Sequence, residues 1–240
     1  MKQLLIGDIH GCHVELLALL DKAALSDGDE VIALGDIVDR GPDTPKVLEF
    51  FRARSNARSL MGNHERKHIR SSRGEIKPAL SQIISRAQLG DGYAGAVSFM
   101  ATFPYFLELP EATLVHGYFE AGVALDQQNE MVLAGTLGGA TLLQQRFGER
   151  PWYEFYDGAK PLVVGHHDYS GKRQPFVYRD KVFGIDTDCC RGGALTGLLL
   201  PEFKLISVRS PVNYWEQTKK RYAASISPSA TPASPSDSNA

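Results

Sequence analysis

The sequence predicts an α/β protein built as a four-layer α/β/β/α sandwich, two mixed β-sheets flanked by helices. Two observations carry that expectation. In the first third, the apolar runs Lys2 to Ile6, Val31 to Leu34 and Ala57 to Met61 alternate with helix-periodic stretches. That order gives parallel strands joined by right-handed crossovers. From residue 161 onward, short apolar runs at 161–164, 175–178, 182–185, 194–200 and 203–208 ask for a second sheet.

The elements follow in order. A helix is expected from about His13 to Leu25, with Leu16, Leu17, Leu20 and Ala24 on one face. Thr44 reads as an N-cap with Pro45 at the first helical position, and Val47, Leu48 and Phe51 supply the apolar face. His64 to Lys77 is rich in charge, with Arg66, Lys67, Arg70, Arg73 and Lys77 outnumbering Glu65 and Glu75. This reads as a solvated helix face, with a basic rim for a phosphorylated substrate as the alternative. Helices are expected at 78–89 and 94–102, and strands at 105–109 and 112–115. Gly135-Thr136-Leu137-Gly138-Gly139 reads as a plain loop, because no Gly-Lys-Ser/Thr follows the glycines.

Residues 1–222 are expected to form one domain, and the Ser/Pro/Ala-rich residues 223–240 a disordered tail. A formal net charge of −2 offers nucleic acid no basic field. No run has the apolar length of a membrane span, and Asp8 arrives before a signal-peptide core can form. The 3 cysteines, Cys12, Cys189 and Cys190, make an odd number and no disulfide framework. A cytoplasmic setting, with no membrane and no disulfide partner, is the expectation.

The apolar runs end on residues of metal-ligand type: Asp8 and His10, Asp36, Asn63, His116 and His166. Loops leaving the same ends of parallel strands converge on one crevice. Of the 7 histidines, His10, His64, His116 and His166 follow an apolar strand at its loop junction. One such histidine alone reads as a hydrogen-bonded core residue; four in one register, beside two aspartates, read as a site. His13, His68 and His167 follow no such rule and read as surface or supporting residues. Carboxylate, imidazole and amide oxygen ligands suit Mn, Fe or Zn better than Ca. Two such ions about 3.5–4 Å apart activate water and clamp the oxygens of an in-line displacement at phosphorus. Asp36, in Gly35-Asp36-Ile37-Val38-Asp39-Arg40-Gly41, is the natural bridge between them. Arg40 is the anion clamp, His64 the group that protonates the leaving oxygen, and Asp39 the residue that fixes its tautomer.

The motifs GDIHG (7–11), GDIVDRG (35–41) and GNHE (62–65), followed by VHG (115–117) and VGHH (164–167), resemble a known set. It is that of the phosphoprotein phosphatase branch of the calcineurin-like metallophosphoesterases, small bacterial type. The resemblance covers roughly residues 1 to 210. It implies Asp8, His10 and Asp36 on one metal, and Asp36, Asn63, His116 and His166 on the other. It further implies phosphate contacts from Arg40 and Asn63, His64 as general acid paired with Asp39, and a metal-bridging hydroxide as nucleophile. The cofactors would be two divalent transition-metal ions, Mn2+ first and Fe or Zn next. Strand alternation allows only one of His166 and His167 to be the ligand, and the family pattern favours His166. A second phosphate-binding arginine has no secure place, with Arg146 and Arg150 the candidates.

The leading expectation is hydrolysis of phosphate monoesters such as phosphoserine, phosphothreonine or phosphotyrosine. The alternative is a diadenosine tetraphosphate hydrolase, because the Gly184-Ile185-Asp186-Thr187 motif resembles small bacterial members of both kinds. Such an enzyme needs room for two nucleosides, which residues 120–160 would provide through Trp152 and Tyr153. A non-catalytic binding module is the distant alternative, since none of the six ligands is missing.

Overall fold

A computed structural model describes residues 1–226. The chain opens with β1 (Gln3–Ile6), α1 (His13–Ala23), β2 (Glu30–Ala33), α2 (Thr44–Ala53) and β3 (Ala57–Ser59). β1, β2 and β3 are parallel, with Leu5 opposite Ile32 and Ile32 opposite Arg58. The helices α3 (Asn63–Ser72), α4 (Leu80–Leu89) and α5 (Tyr93–Met100) lead to the second sheet. There β5 (Thr113–Val115), β6 (Leu162–Val164) and β8 (Val182–Gly184) run parallel in the middle. β4 (Phe106–Glu108) and β7 (Phe176–Tyr178) lie antiparallel at its edges. The long strands β9 (Ala194–Leu200) and β10 (Lys204–Arg209) return to the first sheet beside β1, giving the order β10-β9-β1-β2-β3.

Strand alternation sorts the side chains into layers. Leu4 and Ile6 of β1 face the helices α1 and α2, whereas Leu5 faces inward. Leu5 joins Ile32, Leu114, Val163 and Leu198 in a core between the two sheets. Leu162 and Val164 point the other way, toward Leu133, Leu143 and Trp152 on the outer side of the second sheet. The result is the expected four-layer sandwich.

Several local expectations are corrected. α1 stops at Ala23, and it buries Leu16, Leu19, Ala23 and Glu15 while Leu17 is exposed. Its inward face is set by β9 and β10, which arrive from the far end of the chain. The N-cap of α2 is Asp43, not Thr44, whose Oγ1 instead accepts the Asp39 N–H at 3.3 Å. The glycine-rich stretch is no loop. After α6 (Glu130–Leu133), Thr136 caps α7 (Leu137–Phe147) by accepting the Gly139 N–H at 3.1 Å. A final helix, α8 (Tyr214–Ile226), takes in residues 223–226, which were expected as tail; alanine is the strongest helix former. The rest of the expected tail, 227–240, lies outside the described residues.

Candidate metal centre

The three parallel strands of each sheet end on one crevice. Asp8 and His10 follow β1, Asp36 follows β2, and Asn63 and His64 follow β3. His116 follows β5, His166 follows β6, and Asp186 follows β8. Asp186 was not among the expected site residues. Its signal was the same one: Gly184-Ile185-Asp186 breaks an apolar strand with an acid, as Gly7-Asp8 and Gly35-Asp36 do.

The loops are sharply bent. His10 (φ 47), Asp36 (φ 49), Asp39 (φ 72), Arg40 (φ 63) and His166 (φ 67) all adopt the left-handed region. Each such non-glycine residue costs about 1–2 kcal/mol, and clustering of that strain marks functional sites. Two glycines make the bends possible. A Cβ on Gly41 would lie 1.9 Å from the His10 carbonyl oxygen, and one on Gly62 would lie 2.2 Å from Asp36 Oδ1.

Asp36 is the centre of the cluster. Its Oδ2 lies 3.8 Å from His10 Nε2, 3.9 Å from His64 Nε2 and 3.5 Å from His116 Nε2. Its Oδ1 accepts the His64 N–H at 2.9 Å. Two groups of ligand-type atoms result, His10–Asp36–His64 and Asp36–His116–His166, and Asp36 belongs to both. Asp8 lies beside the first group, with Oδ2 3.8 Å from His10 Nε2 and Oδ1 accepting the His166 N–H at 2.8 Å. Asn63 joins the second, with Oδ1 3.2 Å from His116 Nε2 and 3.1 Å from His166 Nδ1. Arg40 stands at the His10 end, its Nη1 2.7 Å from His10 Nε2.

The electrostatics suit a dication. Burial lowers the basicity of His10, His116 and His166, and for His166 the pKa falls to about 3, so these rings are neutral and able to ligate near pH 7. Burial, then the charges of Asp186 and Asp36, push Asp8 well above the usual carboxylate range. Asp186 is itself pushed up to about 7, mainly by burial. Asp36 behaves differently. Burial would raise it, but His116, His64 and His10 together hold it well below the usual range.

The hydrogen bonding agrees with this. His10 Nδ1 lies 2.8 Å from the Val38 carbonyl and His116 Nδ1 lies 2.8 Å from that of Leu34, so each donates there and keeps a lone pair on Nε2. His116 Nε2 and Asn63 Oδ1 then turn lone pairs toward each other at 3.2 Å, a conflict that a cation relieves. The donor set therefore fits divalent transition metals.

A buried scaffold holds these groups. The Glu65 carboxylate accepts the N–H groups of Asp36 (2.9 Å), Ile37 (2.9 Å) and Gly62 (3.0 Å), tying the second motif loop to the third. Asp39, fully buried, meets His64 Nδ1 at 2.5 Å and His68 Nε2 at 2.9 Å. It also accepts from Ser85 (2.7 Å), Ser81 (3.1 Å) and Gln82 (3.1 Å) of α4. Burial alone would raise Asp39, but the bonds from His64 and His68 hold it well below the usual carboxylate range. His68 thus takes the supporting role, one of the two readings that its sequence position allowed.

Other candidates lie elsewhere. His167 is exposed and packs on Tyr169 with ring centroids 5.2 Å apart, so His166 and not its neighbour joins the cluster. Arg146 donates to the Ala121 carbonyl at 2.8 Å, and Arg150 pairs with Glu154 at 2.9 Å. Neither faces the crevice. The expected nucleoside room at Trp152 and Tyr153 is corrected too. Trp152 is buried in the outer core of the second sheet, against Tyr118, Tyr153 and Tyr169.

Comparison with known proteins places this architecture. A family profile described as calcineurin-like phosphoesterase matches residues 1–174. Bis(5'-nucleosyl)-tetraphosphatase PrpE [asymmetrical] of Bacillus velezensis is 30% identical over 238 residues, covering 88% of this chain and 93% of the relative. A solved structure described as a candidate diadenosine tetraphosphatase superposes with TM-score 0.68 at 22% identity, covering 87% of this chain and 93% of that one. The cold-active protein-tyrosine phosphatase of a psychrophilic Shewanella species follows with TM-score 0.56 at 22% identity, covering 88% and 78%. These two structural likenesses speak to the fold alone. With the family profile spanning most of the sequence and the motif loops gathered on one crevice, the chain belongs to the calcineurin-like phosphoesterases and is a metal-dependent phosphoric ester hydrolase.

Proposed function

We propose that the protein hydrolyses a dinucleoside tetraphosphate in the cytoplasm, at a site holding two divalent ions, Mn2+ first among them. The observation that carries the substrate is similarity along nearly the whole of both chains to the Bacillus velezensis tetraphosphatase. The leading expectation from sequence, a protein phosphatase, gives way to its alternative on that ground. Asp8, His10 and Asp36 would hold one ion, and Asp36, Asn63, His116 and His166 the other. When bound, the ions supply Lewis acidity and lower the pKa of a water nucleophile.

The chain's own residues do the rest. Arg40 clamps the phosphoryl oxygens through its planar fork, and Asn63 orients them. His64 Nε2, buried and without a hydrogen-bond partner, faces the crevice and delivers a proton to the departing oxygen. Asp39 accepts from His64 Nδ1 and stabilises the charged imidazolium before that transfer. Phosphomonoesters form the second reading, because the Arg40, His64 and Asp36 constellation addresses a single phosphoryl group and is silent about what is attached to it.

A side-by-side assay of the Mn2+-loaded protein on diadenosine tetraphosphate and a phosphoserine peptide separates the readings. Faster dinucleotide cleavage, absent from Asp36→Asn, is the expected result. Peptide turnover alone would return the protein to the monoester reading.

A further inference from the structure

A cavity of about 520 Å3 opens directly from Asn63 and His166. One wall is the exposed side of α3, where Arg66, Lys67 and Arg70 are all half-buried. The opposite wall is Tyr118, Met131 and the first turn of α7. Among the described residues that line it, none is acidic. The three cations span five residues of helix, a rise of about 6 Å from the Asn63 end outward. Arg70 is held by Glu75 at 2.9 Å. On the facing wall Leu137 is 91% exposed, a large apolar side chain left bare at the rim. Arg40, by contrast, stands at the other end of the ligand cluster, against His10.

Resting on the dinucleotide reading above, we propose that this cavity takes the part of the substrate beyond the reacting phosphoryl group. Arg66, Lys67 and Arg70 receive the phosphate chain, and Leu137 with Tyr118 receives the far nucleoside. A tetraphosphate chain carries several negative charges, and the half-buried cations Arg66, Lys67 and Arg70, the last shared with Glu75, hold it against less screening than an open surface would impose. A purine face needs a surface to cover, and Leu137 has none of its own. A small monoester reaches Arg40, Asn63 and His64 without touching Arg66, Lys67 or Arg70, so these three cations discriminate between substrates that share one reaction centre.

The test compares wild type, Lys67→Ser/Arg70→Ser and the charge-matched control Lys204→Ser/Arg209→Ser, whose positions lie on β10. The first readout is kcat/KM for diadenosine tetraphosphate divided by that for p-nitrophenyl phosphate. The second is the Ki of ATP against p-nitrophenyl phosphate turnover at fixed free Mn2+, which does not require dinucleotide cleavage. The expected result is a tenfold or larger fall in the ratio and a comparable rise in Ki for the α3 variant, with neither in the control. An unchanged ratio and Ki, with wild type cleaving the dinucleotide, would overturn the cavity assignment and leave the proposed function standing. Wild-type turnover of p-nitrophenyl phosphate with no dinucleotide cleavage would overturn the proposed function; an ATP Ki equal in all three proteins would then remove the cavity as well.

Discussion

His64 and Asp39 form a closed pair: Nδ1 meets Oδ2 at 2.5 Å, both side chains are buried, and His64 Nε2 is left free toward Asp36 Oδ2 at 3.9 Å. The pair presents one nitrogen to the reaction and anchors the other. His64→Asn is expected to lower kcat by about 10²–10⁴-fold on phosphoserine, whose alkoxide leaves poorly. On p-nitrophenyl phosphate, whose leaving group needs no proton, the loss should be far smaller. Equal losses on both substrates would assign His64 another task.

Tyr118 holds the last histidine in place. Its hydroxyl lies 3.1 Å from His166 Nε2, while Nδ1 faces Asn63. Tyr118→Phe keeps the ring and removes that partner, so metal affinity should fall by about 10–100-fold. A metal titration followed by calorimetry reads this without reference to turnover. Unchanged affinity would show that packing alone orients His166.

Gly165 precedes that histidine, and its missing side chain leaves room for Asp8. A Cβ there would lie 2.5 Å from Asp8 Oδ1. Gly165→Ala is expected to displace the carboxylate and weaken metal binding by tenfold or more. The overpacking should cost about 1–3 kcal/mol in stability, leaving a folded protein by circular dichroism. Full metal affinity in that variant would mean that Asp8 yields without consequence.

Asp29 gives a pH-dependent test far from the site. Its carboxylate accepts the Lys2 and Ser26 N–H groups at 2.6 and 2.9 Å and the Ser26 hydroxyl at 2.8 Å, bonds that bring its pKa down to about 2. A folded pKa below the unfolded value of about 3.9 stabilises the protein above that value. The contribution is lost as pH falls from roughly 4 toward 2. Asp29→Asn should therefore melt at lower temperature than wild type at pH 7, with the gap closing by pH 2–3. A gap independent of pH would assign the loss to shape instead of charge.

The residues gathered at the crevice were legible because each sits one to four positions beyond a short apolar run, and parallel strands bring such positions together. Asp186 obeys the same rule and was not among the expected site residues. The partners of Asp39 other than His64 were not legible. Ser81, Gln82 and Ser85 reach it from α4 and His68 from α3, and only the packing of the two helices brings them within reach. Arg66, Lys67 and Arg70 read as a solvated face for a similar reason. What turns that face into a cavity wall is the start of α7, some seventy residues later, in a stretch whose glycines suggested a loop. The inward face of α1 differs from the expected one because β9 and β10, from the far end of the chain, are what it packs against.

The most direct test of the whole account is a calorimetric titration of Mn2+ into the metal-free protein, with Asp36→Asn alongside. Because Asp36 belongs to both ligand groups, wild type should bind two ions per chain. Asp36→Asn should bind more weakly at both sites and turn over neither dinucleotide nor aryl phosphate. A single ion in wild type, or two ions and near-normal turnover in Asp36→Asn, would contradict a two-metal centre built on that carboxylate.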